Sequence, residues 1–230
     1  MGYYHEIFEK GVLTLNLKEL ISSQEGKILI AGILLFIAFL MIIVVVYIFS
    51  TDDANNLVAM SVTNFFFGRA AGISYGYTVE FSDRVIILMN MMIEFIMVMI
   101  TYPLFIFSWN KSLNVKFLRH FFISVKKQKL KYKSFFQKYG VYGLFLFVWF
   151  PFWMTGPVIG SIIGFLIGIK HYTTMLIVLS GTSLAIVIWT YFLKELIILL
   201  NQISANAPYI LLALFIGIAL VVKVFKKGNS

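Results

Sequence analysis

Long apolar runs dominate the chain, and their lengths match a lipid bilayer rather than a soluble core. The run from Ile28 to Phe49 contains neither a charge nor a proline. About twenty helical residues, at about 1.5 Å each, cross a hydrocarbon layer of about 30 Å, so this run is predicted to span. It is too long for a cleaved signal peptide and follows a polar, amphipathic leader over residues 1–27. The Ser50-Thr51-Asp52-Asp53 that follows it has no small-residue cleavage site, so the run reads as a retained anchor. A second span is predicted over Val85 to Phe107, although Asn90, Glu94 and Pro103 interrupt it. A third covers Tyr172 to Leu193 and continues weakly past Lys194-Glu195 to Leu200. A fourth, Pro208 to Val222, is short but is followed by Lys223, Lys226 and Lys227, whose long side chains reach the interface.

Two further segments are apolar enough to enter a membrane but poorly made for crossing it. Leu57 to Val79 carries Gly68, Arg69, Gly72 and Gly76 near its middle. Tyr139 to Ile169 is too long for one straight helix and is broken by Pro151, Gly156 and Pro157. Proline removes a backbone donor and collides with the preceding turn, so two half-helices joined at a tip are expected. Both segments read as re-entrant hairpins.

Charge orients this pattern. The chain holds 19 Lys and Arg against 10 Asp and Glu, for a net charge of +9. Nine of those bases lie between Lys111 and Lys138, and no acid occurs between Glu94 and Glu195. By the positive-inside rule the loop 111–138 is cytoplasmic, as are the leader and the tail 224–230. Asp52 and Asp53 and the uncharged stretch Asn201 to Ala207 suit the opposite face. These assignments agree only if neither broken segment crosses. The expected fold is an all-α integral membrane domain over residues 28–223, with four transmembrane helices and two oppositely oriented re-entrant hairpins. Each half then holds a hairpin and a span, an inverted repeat that rests on layout because the halves show only weak sequence similarity. Inverted repeats with broken helices are a recurring plan of secondary transporters.

Composition agrees with a bilayer, at 60% hydrophobic and 13% charged residues. The absence of cysteine excludes disulfides, thiolate metal sites and a cysteine nucleophile. No Gly-rich phosphate loop or HExxH occurs, so neither an enzyme nor an ATP-driven pump is expected, and no metal or cofactor.

Arg69 and Glu94 are the most informative charges, because a charge at membrane depth must face protein or water. They could pair as a structural clamp. Alternatively, Glu94 could carry a proton and Arg69 a phosphate, through paired guanidinium donors. With Asn90 and the tip residues Thr155, Gly156 and Pro157 they form the expected substrate or ion path. Gly160, Gly164 and Gly168, four residues apart, read as a smooth stripe for helix packing. Lys126, Lys127, Lys129, Lys131 and Lys133, interleaved with aromatics elsewhere in the loop, read as a surface for anionic lipids rather than nucleic acid. His171, beside Lys170, reads as a surface residue.

The stretch Lys138-Tyr139-Gly140-Val141-Tyr142-Gly143-Leu144, followed by Pro151 and then Thr155-Gly156, resembles the signature of the small multidrug export family, distantly DedA-like (VTT-domain) membrane proteins. Gly68-Arg69-Ala70-Ala71-Gly72-Ile73 is similar to the family's first-hairpin motif, Glu-x-Arg-Gly-Ala-Ile-Pro. Here Phe67 stands at the glutamate position and Ser74 near the proline. If that glutamate carries protons in the family, this chain lacks the coupling or moves it to Glu94. The likeness runs from about residue 60 to 200. It implies opposed re-entrant hairpins in a bacterial cytoplasmic (inner) membrane, and export of a small hydrophobic compound or DedA-like translocation of a lipid phosphate.

The expected function is therefore a multipass transporter, ion-coupled or passive, whose partners are membrane lipids and its substrate; a homo-oligomer is left open. The alternative is a non-transporting scaffold or assembly factor that works through the basic aromatic loop.

Overall fold

The structure, a computed structural model, describes residues 23–111, 140, 142–149, 156–202 and 206–228. All regular elements among them are helices. Residues 1–22 of the leader, Thr155 and Pro151 at the second tip, and the lysines Lys126, Lys127, Lys129, Lys131 and Lys133 lie outside the described residues.

Helix α1 (Gln24–Phe49) begins under a Ser23 cap, whose hydroxyl accepts from the Gly26 amide at 3.0 Å. Most of its side chains, Leu34, Met41, Ile48 and Phe49 among them, face outward, an apolar surface suited to lipid. Ser50 both ends α1 and starts the next helix: its N–H donates to the Val46 carbonyl at 2.7 Å and its hydroxyl accepts from the Asp53 amide at 3.2 Å. The first hairpin therefore begins at Thr51, not at Leu57 as the hydropathy indicated. Ser-Thr-Asp-Asp is a capping signal whose carboxylates favour a helix N-terminus.

That hairpin consists of α2 (Thr51–Phe67) and α3 (Arg69–Thr78), joined at Gly68. Gly68 has φ 88° and ψ 173°, a backbone region essentially reserved for glycine. The two arms run back along each other. Gly72 lies against Asn64, Gly76 against Met60, and the Tyr75 hydroxyl donates to Asn56 Oδ1 at 3.3 Å. An added Cβ at Gly72 would come within 2.6 Å of both Asn64 Cβ and Asn90 Oδ1.

Helix α4 (Asp83–Lys111) contains Pro103 within its length. Proline cannot serve the carbonyl four residues back, that of Met99, and Gly32 of α1 packs against that backbone. The second broken segment follows the same plan as the first. Residues 142–149 are helical, and α5 (Gly156–Leu166) folds back on them, with Gly160 against Val148 and Gly164 against Leu144. Helix α6 (His171–Asn201) continues unbroken through Lys194-Glu195, and α7 (Ala207–Gly228) packs on α3 and α6. Three helices, α1, α4 and α6, are long and apolar enough to cross a membrane; the apolar part of α7, Pro208–Ile218, is shorter.

The two halves share a register that hydropathy did not reveal. Gly68, Gly72, Gly76 and Glu80 recur 88 residues on as Gly156, Gly160, Gly164 and Gly168. The helix starts at Asp83 and His171 keep the same spacing. So do the turns closing α3 and α5: Phe81 donates to the Gly76 carbonyl as Ile169 does to Gly164, both at 3.0 Å. Glu80 (φ 59°) and Gly168 (φ 86°) are the left-handed residues of those turns. The long helices of the halves are antiparallel, since Lys194 meets Asp83 while His171 meets Tyr102. One apolar cluster, built around Val98, Leu144, Val148 and Val178, lies with the second hairpin; another, around Met60, Ile73, Ile86 and Leu193, lies with the first.

Candidate functional site

The tip of the first hairpin and the start of α5 meet between these clusters. Gly68 places Arg69 at the first turn of α3, and Glu94 projects from the middle of α4. Their side chains are 2% and 6% exposed, with Arg69 Nη2 3.0 Å from Glu94 Oε2. Burial of a lone charge at this depth would be prohibitive, so the contact offsets much of a shared desolvation cost. The pair is nevertheless incompletely satisfied. Nη1 has no hydrogen-bond partner among the described residues.

Asn64, Gly68, Arg69, Glu94, Met97, Pro157 and Val158 enclose a cavity of about 10 Å³, room for about one water. Three elements from the first half and one from the second thus converge on one point. Asn90 is part of its support rather than its lining. Asn90 Oδ1 accepts from Asn64 Nδ2 at 2.6 Å, and its own amide donates to the Ile86 carbonyl at 2.7 Å, fixing Asn64 at the cavity wall. Gly156 is buried at the start of α5, with Pro157 beside it at the first position, where a missing N–H costs nothing. Helices α3 and α5 both begin here, so two positive helix ends and a guanidinium oppose one carboxylate. Among the described residues, no three His, Asp or Glu converge where a metal could be held.

The glycine stripe divides. An added Cβ would fall 2.5 Å from Val148 Cγ2 at Gly160 and 2.5 Å from Thr174 Cγ2 at Gly164, so both are close-approach positions. Gly168 is not: a Cβ there meets nothing within 4 Å, and its φ of 86° identifies a helix terminator, which corrects the packing role expected for it.

Two polar clusters lie at opposite ends of the α4–α6 pair. Near one end, Lys194 Nζ donates to Asp83 Oδ2 at 2.6 Å, while the Tyr77 hydroxyl lies 3.3 Å from Asp83 Oδ1 and 3.0 Å from the Thr190 carbonyl. Near the other, His171 Nε2 lies 3.0 Å from Glu25 Oε1, and its Nδ1 is 2.9 Å from the Tyr102 hydroxyl. His171 is therefore a tie between three helices rather than a surface residue. Sequence reading missed Asn64, although an amide inside an apolar run was a usable signal. It also missed Thr182 and Ser74, whose fully buried hydroxyls have no hydrogen-bond partner among the described residues; small hydroxyls in membrane helices carry no such signal.

No curated protein and no solved structure matches the chain. A family model does, over residues 68–188, from the first tip to the middle of α6 and more than half of the chain. Its span takes in Arg69, Glu94 and Pro157, the groups gathered at the cavity. The chain belongs to the membrane-protein family described as "Putative small multi-drug export protein".

Proposed function

We propose that this protein is a multipass transporter of the bacterial cytoplasmic membrane, with both termini on the cytoplasmic side and the hairpins entering from opposite faces. Its substrate is a small hydrophobic or amphiphilic compound or a lipid phosphate, the latter moved between leaflets as in DedA-like proteins. The observation that carries this reading is the buried Arg69–Glu94 pair, with Arg69 Nη1 unpartnered among the described residues, where the first tip meets the start of α5. A purely structural clamp gains from full pairing, whereas a site that exchanges partners needs donors held in reserve. The guanidinium and the two helix N-termini favour an anionic group, and Glu94 is positioned to release Arg69 if it takes up a proton.

The cavity is far smaller than the several hundred Å³ of a typical ligand pocket, so substrate entry requires the tips to part. A proton or one water fits as it stands. The test is flux in liposomes of purified protein. Arg69→Lys and Glu94→Gln are expected to reduce it at least about tenfold, the cost of one misplaced charged contact, while both variants insert and fold. Wild-type flux in both would remove the site.

A further inference from the structure

We infer that the tip cavity communicates with the Asp83–Lys194 end of the bundle along the seam between α3 and α6, and that Tyr77, Asp83 and Lys194 form the gate of this route. The inference rests on the transport reading for its purpose, but its geometry is independent of flux.

Ser and Thr hydroxyls on membrane helices normally bond to a carbonyl of their own helix. Among the described residues, three of the six buried ones, Ser61, Ser161 and Thr190, do so, as do the half-buried Thr101 and Ser183. Ser61 bonds to Leu57, Thr101 to Met97, Ser161 to Val158, Ser183 to Leu179 and Thr190 to Ile186. Ser74 and Thr182 do not, although both are 0% exposed. With Arg69 Nη1 and the indole nitrogen of Trp189, and apart from the ion-paired Arg69 Nη2 and Glu94 Oε2, they make up nearly all the buried side-chain polar atoms without a hydrogen-bond partner among the described residues. The remaining one, on Thr174, lies near the opposite end, against the Tyr102 hydroxyl.

These groups lie on one side of the tips. Helices α3 and α6 run in the same direction, since α3 leads toward Asp83 and α6 toward its partner Lys194. Tyr77 meets the Thr190 carbonyl, which places Arg69, eight residues before Tyr77, level with Thr182, eight residues before Thr190. Ser74 lies between Arg69 and Tyr77 on α3, and Trp189 precedes Thr190 on α6. The unpartnered atoms therefore run from the Arg69 and Thr182 level up to the Tyr77 cluster and stop there. Buried polar atoms are costly to leave unpaired, so a line of them reads as a path that is hydrated or occupied in another conformation. The gate over it is breakable: the side chains of Lys194 and Asp83 are 41% and 25% exposed, a pairing that water competes for.

The chain has no cysteine, so single reporters are unambiguous. Ser74→Cys, Thr182→Cys and, as a control, the fully buried Val178→Cys are labelled in membrane vesicles with a membrane-impermeant maleimide, with and without Lys194→Gln. Opening the gate is expected to raise labelling of the cysteines at 74 and 182 about threefold or more from the Asp83 face, leaving position 178 unchanged. Unchanged labelling at 74 and 182, or an equal rise at 178, overturns the route. Loss of transport with the labelling pattern intact would count against the transport reading alone, and flux with no change in labelling against the route alone.

Discussion

Arg69 and Glu94 depend on each other more than either stabilises the fold. Removing one partner of a buried pair leaves the other charge uncompensated, at a cost of about 3–5 kcal/mol, whereas replacing both with apolar groups of similar size is often neutral or better. Arg69→Met alone and Glu94→Leu alone are therefore expected to lower the unfolding temperature in detergent, and the double variant to recover most of the loss while remaining inactive in flux. A double variant no more stable than the worse single would show that the pair itself holds the tips together. These two residues were legible in the sequence because charges inside apolar runs are rare enough to demand a reason. Asn90 was legible on the same ground, though the structure places it behind Asn64 rather than in the cavity. Ser74, Thr182, Tyr77 and His171 were not. A hydroxyl can always be satisfied by its own helix and an interfacial histidine by water, and only the bonds actually made distinguish those cases.

The glycines act at the scale of the element. Gly160 brings α5 onto the helical residues 142–149 so closely that its place has no room for a methyl group beside Val148. Gly160→Ala should destabilise the hairpin by about 1–3 kcal/mol through overpacking, and Val148→Ala by a similar amount through a cavity. Because the added and removed atoms share one space, the double variant should cost at least about 1 kcal/mol less than the sum, which thermal unfolding of all four proteins would show. Strict additivity would mean that the two helices do not touch there. Both hairpins were visible as broken apolar runs, since glycine and proline interrupt a helix wherever it lies. Their common register was not. The halves agree in glycines, turn bonds and helix starts rather than in side chains, and Glu80 hides the match by standing where the second half has Gly168. The start of α2 was misplaced for a related reason: the cap at Ser50 is polar, so hydropathy alone reads it as loop.

For the whole molecule, helix lengths decide how the chain meets the bilayer. At about 1.5 Å per residue, α3 reaches about 15 Å, α5 about 17 Å and α2 about 25 Å, all short of a hydrocarbon layer of about 30 Å. The arms of each hairpin also run antiparallel, so the chain returns toward the end from which it came. If the first hairpin enters and leaves by one face, Asp52 and Glu80 lie on the same side of the membrane; a spanning segment would separate them. Likewise Gly140 and Lys170 share the cytoplasmic side only if the second hairpin returns. Asp52, Glu80 and Lys170 are exposed, and a Cβ at Gly140 meets nothing nearer than 3.9 Å, so a single cysteine fits each position. In intact cells, Asp52→Cys and Glu80→Cys should react with an impermeant thiol reagent, and Gly140→Cys and Lys170→Cys only after permeabilisation. Opposite reactivity within the first pair would make that hairpin a crossing and reverse every later element. The basic loop would then move to the outer face, against the charge rule that oriented the chain. Labelling at Asp52 and Glu80 thus bears on the hairpin and on the sidedness of the Asp83–Lys194 end together, because α4 begins only three residues after Glu80 and must start on the same face.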